Sequence, residues 1–233
     1  MIKVEINEVM GICSAMHGMR NPLNSWEKND TAFHAKIILD DSEEFSTFEN
    51  DTIKLETVVG KNDKALARKL IDAGPSHRKF MRQIFVSMDI TAPLYWWKEF
   101  DTYKVGTVAN SCSTMHTIMN KKFMIDDFSY DKMFVITEQS LEDIVSHINC
   151  LRTLYLKTED PERKKRYWYS IIQLLPSSYN QRRTVTMSYE NLRNIYEQRK
   201  NHKLDEWRDF CSAIELLPYS NWITDKKEDE SND

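Results

Sequence analysis

Glycine and proline are scarce in this 233-residue chain, which has five and six of them. An all-β domain needs many tight turns, and these two residues serve most of them, so their scarcity argues against that class. Neither a GxGxxG pattern nor a P-loop pattern occurs. A Rossmann-type dinucleotide site therefore has no local support in the sequence.

Cysteine is sparse as well, and its positions are scattered. Cys13, Cys112, Cys150 and Cys211 form no CxxC pair, and no Cys/His cluster has the spacing of zinc ligands. We therefore expect reduced thiols in an intracellular protein, and we predict no metal site.

Long apolar runs and blocks of positive charge are also missing. No run of 18 apolar residues occurs, and the opening Met-Ile-Lys-Val-Glu-Ile lacks the apolar core of a signal peptide. We expect no membrane association and a cytoplasmic location. The net charge is −4 and no Lys/Arg block stands out, which argues against a nucleic-acid polymer as partner.

The composition that remains is typical of a soluble globular protein, with 41% hydrophobic and 29% charged residues. We predict a single α+β catalytic-type domain over residues 1–224, with strands in the first half and a helix-rich second half. Residues 225–233 are acidic and polar, so we predict that they form a disordered tail.

Alternating apolar and polar residues predict the strands. Ile2–Ile6 is a half-buried strand, and Ile84–Ile90 is the clearest strand in the chain. Thr184–Met187 is short and extended. Lys36–Leu39 is compatible with either a strand or a helical turn.

Capping residues and helical spacing predict the helices. Two helices have both ends predicted: one runs from Asn62-Asp63 to Gly74-Pro75, and another runs from Pro161 to Pro176. Two more helices are predicted to start at Ser140 and at Ser188, and the last helix is predicted to end at Pro218.

The stretch from Ala92 to His116 combines two kinds of sequence. Pro93 suits the first position of a helix, and the aromatic run Tyr95-Trp96-Trp97 follows it. The side chains then become small and polar, from Gly106 to Thr114. One interpretation is a pocket with an aromatic wall and a polar floor, because small residues let a ligand approach the backbone. The other, which the pattern alone favours, is a packed helix followed by a loop.

Several segments occur in an order found in a known family. The predicted strand runs into Ala92-Pro93, a later helix ends in Leu-Leu-Pro176, and the segment Tyr189-Glu-Asn-Leu-Arg-Asn-Ile-Tyr-Glu-Gln-Arg199 precedes Asp205-Glu-Trp-Arg208. In this order the chain resembles the flavin-dependent thymidylate synthase family from about Lys64 to Pro218. The resemblance is strongest from Leu175 to Trp207.

This resemblance implies a mixed α/β subunit that assembles as a homotetramer. Flavin adenine dinucleotide (FAD) and the deoxyuridine nucleotide dUMP would lie between subunits. Reduced flavin and methylenetetrahydrofolate would together methylate the uracil at C5, and NADPH would reduce the flavin. The protein's own part would be stacking, phosphate binding and orientation of the ligands.

The family's signature Arg-His-Arg-x-x-Ser-x-Asn-x-x-Ser-x-Arg is altered here. Matching from Ala92-Pro93 places the Arg-His-Arg on Thr102-Tyr103-Lys104, and the substrate-binding Gln of the family on Glu99. The later Ser and Arg of the signature fall on Cys112 and Thr114, and the arginine expected before Leu-Pro falls on Ile172. Lys104 keeps one positive charge but cannot form the bidentate contacts of an arginine.

The resemblance implies roles for residues in three groups. The predicted catalytic residues are Cys112 and Ser113. The family does not need a cysteine, so Cys112 is a departure from it, but a thiol beside a flavin and a pyrimidine can act as a nucleophile when Lys104 lowers its pKa. The predicted cofactor-binding residues are Ser76, His77, Arg78, Tyr103 and Asn194. The predicted substrate-binding residues are Glu99, Lys104, Ser111, Arg182 and Arg199.

Two alternatives remain open for the function. One is a non-catalytic homologue that keeps the fold as a binding or scaffold protein, which the four altered signature positions favour. The other is an enzyme that acts on a different pyrimidine nucleotide or uses a different carbon donor. Each candidate residue also has a structural interpretation, such as a helix C-terminal cation for Arg199 and a packed small thiol for Cys112.

Overall fold

A four-stranded antiparallel sheet forms the centre of the molecule in the computed structural model, which describes residues 2–38 and 52–226. The strands are β1 (Lys3–Met10), β4 (Phe85–Pro93), β5 (Thr107–Ser111) and β6 (Asn180–Ser188), in the spatial order β1-β4-β6-β5. A separate two-stranded hairpin consists of β2 (Ala32–Ile38) and β3 (Thr52–Val58). The segment Lys36–Leu39, which was compatible with either a strand or a helical turn, is a strand as far as Ile38. Leu39 lies outside the described residues.

Helices pack against this sheet, and in the chain they lie between its strands or after β6. Those in the described residues are α1 (Ile12–Gly18), α2 (Lys61–Asp72), α3 (Leu94–Phe100), α4 (Thr114–Thr117), α5 (Val135–Lys157), α6 (Pro161–Leu174), α7 (Tyr189–Arg199), α8 (Asp205–Glu215) and α9 (Asn221–Thr224). The predicted α+β class, with a helix-rich second half, is confirmed. The last strand is longer than predicted and lies inside the sheet, between β4 and β5.

Local chemistry explains several helix boundaries. The side chain of Ser188 accepts a hydrogen bond from the backbone N–H of Asn191 and so caps α7. Asp160 caps α6 in the same way, and Pro161 occupies the first helical position. Gly74 follows α2 with φ 99°, a left-handed conformation that ends a helix at little cost for glycine.

Three predicted helix starts are wrong, each for a physical reason. Helix α5 begins at Val135, and Ser140 lies inside it with its hydroxyl donating to the carbonyl of Ile136 at 3.0 Å. Helix α2 begins at Lys61, because the carboxylate of Asp30 reaches across to accept the N–H groups of Asn62 and Asp63 at 2.8 and 3.0 Å. Pro93 is the last residue of β4 and precedes α3.

The apolar side chains form two clusters. The larger one packs between the sheet and the helices α1, α2, α3, α7, α8 and α9. The smaller one joins α5 and α6 to the segment 118–128. The sheet therefore presents one packed side to the helices, and the alternation of buried residues along β4 agrees with the predicted strand.

The first residue of the predicted C-terminal tail, Asp225, makes ion pairs with two arginines. Asp225 is held by Arg193, whose Nη1 donates to Asp225 Oδ1 at 3.0 Å, and by Arg68 at 2.9 Å. Residues 227–233 of the predicted tail lie outside the described residues. Across the described ranges, no helix is both long enough and apolar enough to cross a membrane.

Candidate functional site

The aromatic half of the stretch 92–116 belongs to the protein core. Trp96 and Trp97 on α3 are fully buried, and the Trp96 ring lies 5.0 Å from Phe100 and 4.7 Å from Trp207 on α8, measured between ring centroids. Packing of this kind contributes both buried area and ring-to-ring attraction. These two rings are therefore core residues, in agreement with the interpretation that the pattern alone favoured.

The small polar half forms an exposed strand at one edge of the sheet. Strand β5 pairs only on one side, with β6, so that Ser111 lies opposite Arg183. Along β5 every residue after Thr107 is exposed, and Val108 keeps 67% of its surface accessible. The segment interpreted as a possible pocket floor is thus an open edge strand that ends at Ser111, directly before Cys112.

Cys112 opens onto a cleft of about 510 Å³, here called the thiol cleft. Cys112, Ser113 and Arg182 all line it, so the structure brings three predicted site residues together. The volume lies in the range of small-molecule sites. Its other lining residues are Thr91, Thr117, Ile118, Asn120, Lys121, Phe123, Asp126, Asp127, Tyr179, Asn180 and Gln181.

Hydrogen bonds hold the backbone of Cys112 in place. Its N–H donates to the carbonyl of Arg182 at 2.9 Å, and its own carbonyl accepts from Gln181 Nε2 at 2.9 Å. Gln181 is buried, and its Oε1 accepts from Arg183 Nε at 3.0 Å. The thiol itself is exposed and free. Ser113 has a structural task as well, because its hydroxyl accepts the N–H of His116 at the start of α4.

Arg182 is the main cation of the thiol cleft, and it is paired within the chain. Its Nη2 lies 2.6 Å from Asp89 Oδ2 and 3.3 Å from Glu5 Oε2. A hydrogen bond from Thr184, together with Arg182, holds the pKa of Asp89 below its usual value. On the other wall, Asp127 lies 2.6 Å from Lys121 Nζ and raises the pKa of that lysine.

Three predicted residues, Glu99, Tyr103 and Arg199, form a second group together with His202 and Trp207, which were not predicted, and these five residues are here called the arginine cluster. The Arg199 guanidinium lies over the Trp207 ring at 4.9 Å and donates from Nε to the Tyr103 hydroxyl at 2.8 Å. Glu99 Oε2 accepts from Trp207 Nε1 at 2.9 Å and lies 3.4 Å from Arg199 Nη1. The two predicted substrate residues Glu99 and Arg199 are therefore partners of each other.

A third group lines the α7 cleft, a depression of about 620 Å³ beside helix α7. Arg78 and Asn194, both predicted to contact the cofactor, line it together with Gly106 and Asn191. Arg78 is bound by Glu190, with Nε to Oε2 at 2.9 Å and Nη2 to Oε1 at 3.1 Å. Such a two-point ion pair orients the guanidinium firmly.

Gly106 gives the backbone its close approach at this cleft. Its φ is 74°, which a residue with a side chain rarely adopts, and a Cβ there would lie 3.3 Å from Asn191 Oδ1. Asn191 in turn donates to the carbonyl of Val105 and so ties the loop before β5 to α7.

A chain of hydrogen bonds joins the α7 cleft to the arginine cluster. Gln198 donates from Nε2 to Asn194 Oδ1 at 2.7 Å, and its Oε1 accepts from the Tyr103 hydroxyl at 3.0 Å. Tyr103 then accepts from Arg199, as described above. Tyr103 and Asn194 were both predicted to bind the cofactor, and Gln198 connects their side chains.

Strand β5 separates the α7 cleft from the thiol cleft. Gly106 precedes the strand at the first cleft, and Cys112 follows it at the second. Six residue steps at ~3.3 Å each place these two positions about 20 Å apart. Ligands bound at the two ends of this strand in a single subunit would therefore be too far apart to touch each other.

The remaining predicted residues lie at the surface. Ser76 and His77 are exposed on the loop after α2, next to Arg78, and Lys104 is exposed in the turn before β5. Ser111 is exposed at the end of β5. Within the described ranges, no group of three or more His, Cys, Asp or Glu side chains is placed to hold a metal ion.

Gln181, Glu190, Asn191 and Gln198 are among the polar residues of these sites that sequence reasoning missed. Gln181 stands directly before the predicted Arg182 and faces the opposite side of the strand, which alternation along β6 could have indicated. Asn191 and Gln198 are three residues before and four residues after Asn194, positions that share one face of a helix. No sequence signal pointed to Glu190 as the partner of Arg78.

Solved structures share the fold described above. One is thymidylate synthase X (ThyX) from Helicobacter pylori with FAD and dUMP, which matches with a TM-score of 0.63 and 16% sequence identity over 96% of this chain and 97% of the other. This chain has the ThyX fold. A second structure, flavin-dependent thymidylate synthase ThyX from H. pylori complexed with FAD and dUMP, matches the same fold with a TM-score of 0.61 and 17% identity, covering 95% of this chain and 97% of that one.

The ThyX fold thus extends over nearly the whole chain, beyond the segment on which the sequence resemblance rests. No family model matches the sequence, and no curated relative does. The likeness to the solved structures is one of fold, and the resemblance is confirmed at that level.

Proposed function

We propose that this chain binds FAD and a deoxyuridine nucleotide and transfers a one-carbon unit to C5 of the uracil. The observation that carries the proposal is a ThyX fold over 96% of the chain with a thiol cleft exposed at the end of the altered signature segment. The co-substrates would be methylenetetrahydrofolate as carbon donor and NADPH as reductant.

The α7 cleft offers groups that suit a flavin dinucleotide. Arg78 and Arg82 supply guanidinium groups that match phosphate oxygens, Asn194 supplies an amide, and Gly106 leaves room for close backbone approach. Ser76 and His77 on the neighbouring loop add a hydroxyl and an imidazole. When bound, the flavin supplies the electrons for reducing the transferred carbon.

Cys112 would act as the nucleophile at the uracil. Its thiolate adds to C6, which moves an electron pair toward C5 and makes that carbon able to attack the one-carbon unit. The thiol proton leaves to solvent beforehand. After transfer, the C5 proton is lost and the S–C6 bond breaks, so the double bond and the free thiolate return together. Ser113, Ser111 and Arg182 would orient the nucleotide beside this thiol.

Glu99 and Arg199 of the arginine cluster, together with Lys104, are the other predicted substrate residues, and they lie outside the lining of the thiol cleft. Arg199 is held by Tyr103 and Glu99 in a fixed orientation, which reduces the entropy lost when it binds a ligand. Lys104, on the exposed turn before β5, offers a mobile positive charge.

The ~20 Å between the α7 cleft and the thiol cleft supports an oligomer, since reacting atoms must approach to about 3–3.5 Å. In a homo-oligomer, which we propose to be a tetramer, the α7 cleft of one subunit would complete the thiol cleft of another. The apolar surface around β5 is consistent with such a contact, because Val105 is 90% exposed and Val108 is 67% exposed.

A non-catalytic homologue is the second candidate, and the internal ion pairs favour it. Arg78 is bound by Glu190 and Arg199 lies beside Glu99, so both inherited cations have partners within the chain. A protein that had lost its ligands would be expected to satisfy its charges in this way. An enzyme acting on another pyrimidine nucleotide or with another carbon donor stays a third candidate.

The first experiment is an absorbance spectrum of the purified protein. A yellow protein with flavin bands, or colourless protein that gains these bands with added FAD, supports the proposal. Protein that takes up no FAD contradicts it and favours the non-catalytic homologue.

The second experiment measures tritium release from dUMP labelled at C5, with methylenetetrahydrofolate, FAD and NADPH present. Release that is lost in Cys112→Ser supports both the reaction and the role of the thiol. If tritium release is unchanged in Cys112→Ser, Cys112 is not the nucleophile, but the proposed reaction is still supported. Flavin binding without any release favours the third candidate.

A further inference from the structure

The thiol cleft has an unusual charge arrangement for a nucleotide site. Its lining includes two cations, Lys121 and Arg182, and two carboxylates, Asp126 and Asp127. Asp89 and Glu5 add two further carboxylates directly behind Arg182. The four charges that line the cleft sum to zero. Asp89, Glu5 and Lys3, whose Nζ lies 2.7 Å from Glu5 Oε1, add a net charge of −1 beside Arg182.

Neither cation is available without competition. Lys121 Nζ lies 2.6 Å from Asp127 Oδ1, and Arg182 Nη2 lies 2.6 Å from Asp89 Oδ2. A phosphate dianion in this cleft would have to share these cations with carboxylates that already hold them. It would also be repelled by the carboxylates, and both effects cancel the attraction that normally anchors a phosphate.

The rest of the cleft is suited to an uncharged ligand with a flat ring. Phe123 and Tyr179 supply aromatic surface, and burial raises the pKa of the Tyr179 phenol, so it stays a neutral hydrogen-bonding group. Asn120, Thr91 and Thr117 supply amide and hydroxyl groups. An amide both donates and accepts, as the N3–H and carbonyl edge of uracil requires.

From this arrangement we propose that the thiol cleft recognises the base and sugar of a pyrimidine deoxynucleoside, and that the 5′-phosphate adds nothing to its affinity. The inference rests on the proposed function, because it concerns the same cleft. It goes further because it names the substrate class, an uncharged nucleoside. The affinity of the cleft for a nucleotide would be the same as for the corresponding nucleoside.

The test uses the full-length protein and the alkylation of Cys112 by iodoacetamide, followed by peptide mass spectrometry. A ligand in the cleft covers the thiol and slows the reaction. The ligands are 2′-deoxyuridine and dUMP, and the measured quantity is the concentration of each that halves the alkylation rate. We expect the two concentrations to agree within about threefold, a difference of ~0.7 kcal/mol.

Salt gives an independent reading of the same point. Binding by phosphate–cation attraction weakens as salt rises, whereas binding by stacking and neutral hydrogen bonds changes little. We expect the half-protecting concentration of dUMP to shift less than about twofold between 50 and 300 mM NaCl.

A charge variant should create the phosphate preference that the wild type lacks. Asp89→Asn keeps the size of the side chain but removes the closer of the two carboxylates that hold Arg182, and we expect dUMP to gain about tenfold over 2′-deoxyuridine. Asp72→Asn is the matched control, since it removes one negative charge from a partner of Arg68, an arginine that does not line this cleft. It should leave the ratio unchanged.

The outcomes separate the two proposals. If dUMP protects the wild type at a concentration more than about threefold below that of 2′-deoxyuridine, the inference is overturned while the proposed function stands. If neither compound slows the alkylation, both fail. Equal protection by both, or protection by 2′-deoxyuridine alone, supports the inference, and the wild-type comparison decides it even if the Asp89 variant does not fold.

Discussion

Helix α3 and strand β5 stand only six residues apart in the chain, yet they differ in every physical respect. The rings of α3 are buried among Trp207 and Phe210, whereas β5 is exposed on both faces after its first residue. The helix supports the fold, and the strand with the thiol that follows it is free to meet a ligand or another subunit. Bulky and small residues of one continuous stretch thus differ in burial, and the bulky ones belong to the core.

This separation predicts that substitutions at α3 act on stability, while those near β5 act on reactivity and binding. Functional residues on an exposed strand can change without loss of the core. The altered signature residues Thr102 and Lys104 lie in the exposed turn between the two elements, where such changes cost little stability.

The largest expected effect is on the core side of the comparison. Trp96→Ala should lower the free energy of unfolding by ~3–5 kcal/mol, because it removes a fully buried ring and leaves a cavity. Urea unfolding followed by circular dichroism measures this. The control is Trp26→Ala, which removes a ring that is 45% exposed and should cost less than about 1 kcal/mol. Equal losses would contradict the assignment of Trp96 to the core.

The next effect compares two thiols, one from each region. Cys112 should react with iodoacetamide on the order of a hundredfold faster than Cys211 in the folded protein. Cys211 is buried on α8, and burial raises the pKa of its thiol to about 12, so it is neither accessible nor ionised near neutral pH. Mass spectrometry of the alkylated peptides gives both rates. In urea the two rates should converge, and a folded-state ratio near one would be evidence against the described burial.

A smaller effect is expected where the two regions meet. Glu99→Ala should destabilise the protein by ~1–2 kcal/mol, because Trp207 Nε1 loses its acceptor and Arg199 loses its carboxylate neighbour. Glu99→Gln keeps an oxygen for Trp207 and restores the residue that the family resemblance implies, so it should cost less than half as much. Urea unfolding of both variants tests this, and equal losses would show that the ion pair alone matters.

The smallest effect concerns the pH dependence of the sheet. The pKa of Asp89 is lowered in the folded state, so its contribution to stability is present above about pH 4 and is lost as the pH falls through the lowered value. Asp89→Asn lacks this contribution. The difference in the free energy of unfolding between wild type and Asp89→Asn should therefore shrink from pH 6 to pH 3. A difference that grows on acidification would contradict the prediction that ionised Asp89 stabilises the folded protein.

Much of the fold could be predicted from local pattern. The alternation along Ile84–Ile90, the cap at Ser188 and the Asp160-Pro161 start all give elements that the structure contains. The start of α2 could not be predicted, because Asp30 caps it from a distant part of the chain. The helix start predicted at Ser140 was wrong because serine is favourable at a helix cap but is also tolerated inside a helix. There its hydroxyl donates a hydrogen bond to a carbonyl of the preceding turn, here that of Ile136.

The candidate site was less accessible to sequence reasoning. Cys112, Ser113 and Arg182 were each named as site residues, and the pairing of β5 with β6 places them around one cleft. That Glu99 lies against Arg199, and Glu190 against Arg78, could not be predicted, because each pair joins residues about a hundred positions apart. Local patterns do not report long-range charge pairing.

The sequence by itself determined the α+β class, three of the six described strands, most of the described helices, and the resemblance that the ThyX fold confirms. These follow from hydrophobic period and capping chemistry, which act over a few residues. Only the tertiary structure decided that the tryptophans are core, that the thiol opens onto a cleft, and that the cations beside it already have partners. Those properties depend on which distant residues come within a few ångströms, and packing and strand register alone decide that.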